Sequence, residues 1–83
     1  MNSFDKDETY NRVVAIISQI LTISPSTIDG TSKLEALGAD SLDMLEIIIR
    51  LEEAFGVEIN DEDASKITCV QDAVDKIHSM RIK

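Results

Sequence analysis

Large aliphatic residues recur at helical spacing in three stretches of this chain, and that rhythm constrains the fold before any motif is considered. Between Lys6 and Leu21, Tyr10, Val13, Val14, Ile17, Ile20 and Leu21 make one apolar stripe. Between Ser41 and Phe55, the residues Met44, Ile47, Ile48, Leu51, Ala54 and Phe55 fall within an arc of ~120°. From Cys69 to Met80 the stripe is Val70, Ala73, Val74, Ile77 and Met80. Local punctuation divides the segments. Ser24-Pro25-Ser26 stops the first, because proline cannot continue the hydrogen-bond ladder. Asp40 suits an N-cap with Asp43 at N3, and Gly56 suits a C-terminal stop. Thr68 with Gln71 fits a capping box. A short further helix is expected over Asp61 to Ser65. The fold class is therefore all-α: a small four-helix bundle with a long first loop, from Ile23 to Ala39, and a short third helix. Ile28, Leu34 and Leu37 are spaced along that loop as plugs into the core.

At 83 residues the chain is expected to form a single domain over 1–83 with one modest core, burying roughly 60% of its unfolded surface. No apolar run is long enough for membrane insertion. The N-terminus is polar and acidic and lacks the pattern of a signal or transit peptide. Cys69 is the one cysteine, so no internal disulfide can form. Together these lead to the expectation of a cytoplasmic protein, and a monomer is expected. The formal net charge of −8 argues against nucleic acid and anionic membrane as partners and favours basic proteins. The charge is uneven. Residues 1–34 carry net −1, residues 35–63 carry net −9 with Arg50 as their one base, and residues 64–83 carry net +2.

The second helix has a second apolar band. Asp43, Glu46, Arg50 and Glu53 occupy an arc of ~80° roughly opposite its core face. Leu42, Leu45 and Ile49 lie outside both the core arc and the acidic arc. They either pack beneath the long loop or form an exposed patch with an acidic rim, the composition of a docking surface. Their position beside Ser41 favours the second reading.

Candidate chemistry is sparse. Ser41 stands between Asp40 and Asp43, after Gly38, with no histidine, lysine or cysteine near it in sequence to activate it. It suits a residue modified by another enzyme, because a helix N-terminus favours a phosphate ester. Taken alone it is equally an ordinary early helical serine. His78 suits a cation near a helix C-terminus, and Cys69 a half-buried filler. Asn60-Asp61-Glu62-Asp63 starts like a calcium loop but lacks its later ligands, so no metal site is expected.

The stretch Leu37-Gly38-Ala39-Asp40-Ser41-Leu42-Asp43 resembles the attachment motif of acyl carrier proteins. So do Leu51-Glu52-Glu53-Ala54-Phe55-Gly56-Val57-Glu58-Ile59-Asn60-Asp61-Glu62-Asp63-Ala64 and Lys66-Ile67-Thr68. The resemblance spans about residues 8 to 80 and is nearest to the free-standing type of bacterial fatty acid synthesis. It implies a four-helix carrier with no catalysis of its own. Ser41 would receive 4′-phosphopantetheine from coenzyme A through a holo-ACP synthase and magnesium. The arm would carry growing acyl chains as thioesters to ketoacyl synthases, malonyl transferase, reductases, dehydratases and acyltransferases. Docking to basic patches on these enzymes would fall on Asp40, Asp43, Glu46, Glu52, Glu53 and Asp61, with Leu42, Leu45 and Ile49 as apolar contacts.

Three residues depart from the family pattern. Arg50 interrupts the acidic face, Ala54 replaces a common acid, and Asn60 replaces a frequent proline, which implies a looser approach into the third helix. Two rival readings stand beside this one. The first is a carrier for polyketide synthesis, lipid A-related transfer or D-alanine ligation. The second is an acidic helical interaction module with no prosthetic group.

Overall fold

The computed structural model describes residues 5–81; the remainder of the acidic N-terminal stretch, residues 1–4, lies outside them. Among the described residues four α-helices follow one another: α1 (Lys6–Leu21), α2 (Ser41–Phe55), α3 (Asp61–Ser65) and α4 (Val70–Arg81). A single 3-10 turn over Pro25–Thr27 sits in the connection between α1 and α2. This is the expected all-α bundle with a short third helix. Among the described residues, extended pairing is confined to one isolated antiparallel bridge between Lys33 and Cys69.

α1 packs against both α4 and α2. Val13 and Ile17 from α1, Ile47 and Leu51 from α2, and Val70, Ala73, Val74 and Ile77 from α4 are fully buried. Ile28 and Leu34 enter the same core from the long connection, as expected, with Leu37 half-buried beside them. Ala54 departs from expectation. It lies at the margin of the core arc and is exposed, and its carbonyl accepts a bond from Arg12 Nη2 at 2.8 Å.

The end of α1 and the start of α3 lie where the sequence reading puts them but are built differently, and α4 starts one residue later. α1 ends before the proline. Thr22 adopts a left-handed conformation, φ 58°, and the N–H groups of Thr22 and Ile23 both bond the Ser18 carbonyl. Pro25 instead starts the 3-10 turn, with Ser24 as its cap. α4 starts at Val70 rather than Cys69, because the bridge to Lys33 holds Cys69 extended. The Thr68–Gln71 capping box does not form. The Asp72 carboxylate instead accepts from the Thr68 and Cys69 N–H groups and from Thr68 Oγ1. Gln71 turns away and donates to Asp75 at 2.9 Å. Asn60 gives α3 a firm start instead of a loose one, its side chain accepting from Asp63 N–H at 2.7 Å.

Candidate functional site

The start of α2 is built as its sequence dictates. Gly38, at φ 103°, reverses the chain where an L side chain is disfavoured. Ala39 is then buried, its N–H bonded to the Leu34 carbonyl at 3.1 Å. Asp40 caps the helix reciprocally: Asp43 N–H donates to Asp40 Oδ1 at 2.8 Å, and Asp40 N–H donates to Asp43 Oδ2 at 3.2 Å. Ser41 follows as the first helical residue and is exposed to solvent. At the other end Gly56, at φ 66°, closes the helix.

The second apolar band faces outward. Leu42 is 74% exposed, Leu45 56% and Ile49 44%. These values exclude the alternative in which the band packs beneath the long loop. Glu46 and Glu53 stand exposed along the neighbouring face. Glu46 is paired within the helix to Arg50 Nη2 at 3.3 Å, so the lone base of the acidic third of the chain is paired with an acid of the same helix. Glu52 differs from the other acids of the helix. It is half-buried, and Oε2 accepts the Ile59 N–H at 2.7 Å, which ties the α2–α3 connection to α2. Asp61 is exposed at the start of α3. Asp63, two residues on, pairs with Lys76 Nζ of α4 at 3.0 Å.

Two grooves adjoin this surface. One of about 490 Å³ runs between α2 and α3, with Leu45, Ile48, Ile49, Ile59, Asp61 and Ala64 in its walls. Another of about 570 Å³ has Ser41 itself on its wall, with Leu34, Ala39, Met44 and Ile67. An exposed hydroxyl at the start of a 15-residue helix, beside an apolar groove, suits a phosphate ester carrying a long flexible substituent. The bulk of that substituent has room beside the serine, and the helix dipole favours its negative charge.

The remaining candidates take structural positions. His78 Nδ1 lies 3.1 Å from Oγ1 of Thr9, a fully buried residue of α1 that the apolar pattern gave no reason to single out. Cys69 is half-buried in the bridge. Asn60, Asp61, Glu62 and Asp63 form the cap and first turn of α3. Among the described residues no three carboxylate, imidazole or thiol groups gather as a metal set. Three carboxylates sit below the usual range. Asp72 is held down by bonds from Thr68 and Cys69, Asp29 by bonds from Thr31 and Ser32, and Asp75 by Lys6 and then Gln71. All three support loop or helix ends away from α2. Sequence reasoning passed over Lys33, which also lines the Ser41 groove; its place as the loop's one lysine was the available signal.

Known proteins fit this geometry. Residues 11–77 match the family described as "Phosphopantetheine attachment site", a range that includes Ser41 and all of α2. Acyl carrier protein 3, chloroplastic, of Cuphea lanceolata is 46% identical over 76 residues, 90% of this chain and 53% of the relative. Acyl carrier protein 1, chloroplastic, of Casuarina glauca is 45% identical over 76 residues, covering 90% and 56%. Acyl carrier protein 2, chloroplastic, of Spinacia oleracea is 39% identical over 77 residues, covering 92% and 59%. The chain thus spans a little over half the length of these curated relatives. Their names overturn the expectation of a cytoplasmic protein, since all three are described as chloroplastic. That expectation rested partly on a single cysteine, which cannot form an internal disulfide in any compartment and so does not distinguish among them. A match over residues 11–77, with these relatives behind it, makes the chain a member of the acyl carrier protein family, whose members bear phosphopantetheine and catalyse nothing themselves.

Proposed function

We propose that this chain is a single carrier domain over residues 1–83 that bears 4′-phosphopantetheine on Ser41 and carries growing fatty acyl chains on it as thioesters. The observation that carries this reading is the exposure of Ser41 at the start of α2, inside the region matched to phosphopantetheine attachment. Ser41 needs no internal base, because a separate holo-ACP synthase supplies one. The serine oxygen forms a bond to the phosphorus that carries the pantetheine arm, the anhydride bond to the nucleotide part of coenzyme A breaks, and the serine proton goes to the synthase. The residues of this chain present the hydroxyl, keep it accessible and favour the product's negative charge.

Docking falls on the outward face of α2. Leu42, Leu45 and Ile49 supply apolar contact, and Asp40, Asp43, Glu46, Glu53 and Asp61 supply the field that steers basic patches on ketoacyl synthases, malonyl transferase, reductases, dehydratases and acyltransferases. Glu52 contributes charge from a half-buried position while bracing the loop to Ile59. Contacts of this kind form and dissociate quickly and weaken with salt, as a shuttle serving many enzymes requires. The acidic second helix and the segment Glu58-Ile59-Asn60-Asp61-Glu62-Asp63-Ala64 support a monomeric carrier of the free-standing, bacterial type. Incubation with a holo-ACP synthase, magnesium and coenzyme A tests the attachment. Intact mass should rise by one phosphopantetheine in the wild type and stay unchanged in Ser41→Ala. An unmodified wild type would instead favour an acidic interaction module.

A further inference from the structure

We propose that Lys33 is a positioning residue for the prosthetic arm: its ammonium group holds the phosphodiester formed at Ser41, at the groove both residues line. This rests on the attachment reading above. The groove has a volume of about 570 Å³, and its walls combine the apolar Leu34, Ala39, Met44 and Ile67 with Ser41. Among the described residues, Lys33 is the one cation on those walls.

Its backbone is fixed on both sides. Leu34 N–H bonds the Thr68 carbonyl and Val70 N–H bonds the Ser32 carbonyl, each at 3.0 Å, which closes the bridge between Lys33 and Cys69. The side chain is exposed, and among the described residues it joins none of the ion pairs. Glu35 and Asp40 line the same groove and are the carboxylates that could compete for it, yet among the described residues neither forms an ion pair with it. The lysine is thus anchored at its root, exposed to solvent and in none of these ion pairs.

A phosphodiester adds a full negative charge where Asp40 and Asp43 already stand. Like charges at such spacing repel, and a cation on the same groove offsets the repulsion. Lysine suits the task because its ammonium is a point charge on a flexible stem. It can follow a phosphate without requiring the fixed planar geometry of arginine. The apolar walls then shelter the uncharged part of the arm, so the lysine biases the arm toward the groove while leaving it free to swing out.

The test uses holo-protein made with a holo-ACP synthase and coenzyme A, its loading verified by intact mass. Wild type, Lys33→Gln and Lys33→Arg are compared by phosphorus-31 NMR at low salt and at about 1 M salt, where charges are screened beyond roughly 3 Å. The glutamine removes the charge while keeping a shorter polar side chain; the arginine keeps the charge. At low salt, the phosphodiester resonance of Lys33→Gln should shift and narrow relative to wild type and lose its salt dependence. Lys33→Arg should restore the wild-type behaviour. Melting of the unloaded variants checks that the fold is intact, as expected for an exposed side chain. A loaded Lys33→Gln protein with an unchanged phosphorus resonance overturns the role of Lys33, as does an arginine variant that behaves like the glutamine one. Failure of loading in the wild type overturns the attachment reading instead, so the two failures are distinguishable.

Discussion

The two ends of α2 are built on different principles. At its C-terminal end, Phe55 is held by partners distant in sequence. The guanidinium of Arg12 lies 4.3 Å from the ring centroid and that of Arg81 lies 4.9 Å from it. Glu8 pairs with both arginines, and Arg81, whose side chain is 7% exposed, also donates to buried Thr9 at 2.9 Å. This end ties α1, α2 and α4 together. At the N-terminal end, the helix is capped by Asp40 and Asp43, its own near neighbours, and Ser41 and Leu42 are exposed to solvent. One end fixes the bundle, which leaves the other free to expose the Ser41 hydroxyl and the apolar band proposed for docking.

Substitutions at the two ends should therefore separate stability from function. The largest effect is expected at the fixed end. Phe55→Ala removes a half-buried ring with its cation–π contacts and should lower stability by roughly 2–3 kcal/mol. Urea denaturation measures this, and phosphopantetheine loading under folding conditions should survive it. An effect within about 0.5 kcal/mol would show that the arginines do not depend on the ring.

At the presenting end, Glu46→Lys should raise the KM of partner enzymes by roughly tenfold while changing stability by less than about 1 kcal/mol, since it disrupts only an exposed helical pair. Asp43→Lys is less clean because it also removes half of the capping box. Unchanged kinetics with every partner would remove α2 from the docking surface.

The pH response should come from elsewhere in the molecule. Asp29, Asp72 and Asp75 have folded pKa values below the ordinary 3.8. The unfolded chain therefore binds their protons more tightly. Their stabilisation is present above pH ~4 and is lost as pH falls through the folded values. Asp72→Asn should flatten this acid loss and cost about 1 kcal/mol at neutral pH by weakening the start of α4. An unchanged acid limb of the stability profile would contradict that role.

The smallest effect is expected where α1 ends. Thr22→Gly relieves a left-handed threonine and should stabilise by about 0.5–1 kcal/mol, read as a raised melting temperature. A lowered melting temperature would show that the threonine side chain makes a compensating contact.

What the sequence made legible follows the same division. The start of α2 could be read because Gly38, Asp40 and Asp43 act within a few residues of one another. The outward band of Leu42, Leu45 and Ile49 could be read because a helical wheel separates it from the core face. The clamp on Phe55 could not, since Glu8 and Arg81 come from opposite ends of the chain. The late start of α4 was hidden for a similar reason: Cys69 is held by a bridge to Lys33, far back in sequence. Asn60 was legible by ordinary capping rules, and comparison with a frequent proline obscured it. Thr22 carries no local mark of a left-handed turn, so the end at Leu21 was legible but its cause was assigned to the nearby proline.

The central claim is that α2 presents Ser41 for modification by another enzyme. Intact mass of the wild type and Ser41→Ala, after incubation with a holo-ACP synthase, magnesium and coenzyme A, tests it most directly. The account predicts one phosphopantetheine on the wild type and none on Ser41→Ala. An unmodified wild type, or an equally modified Ser41→Ala, would contradict it.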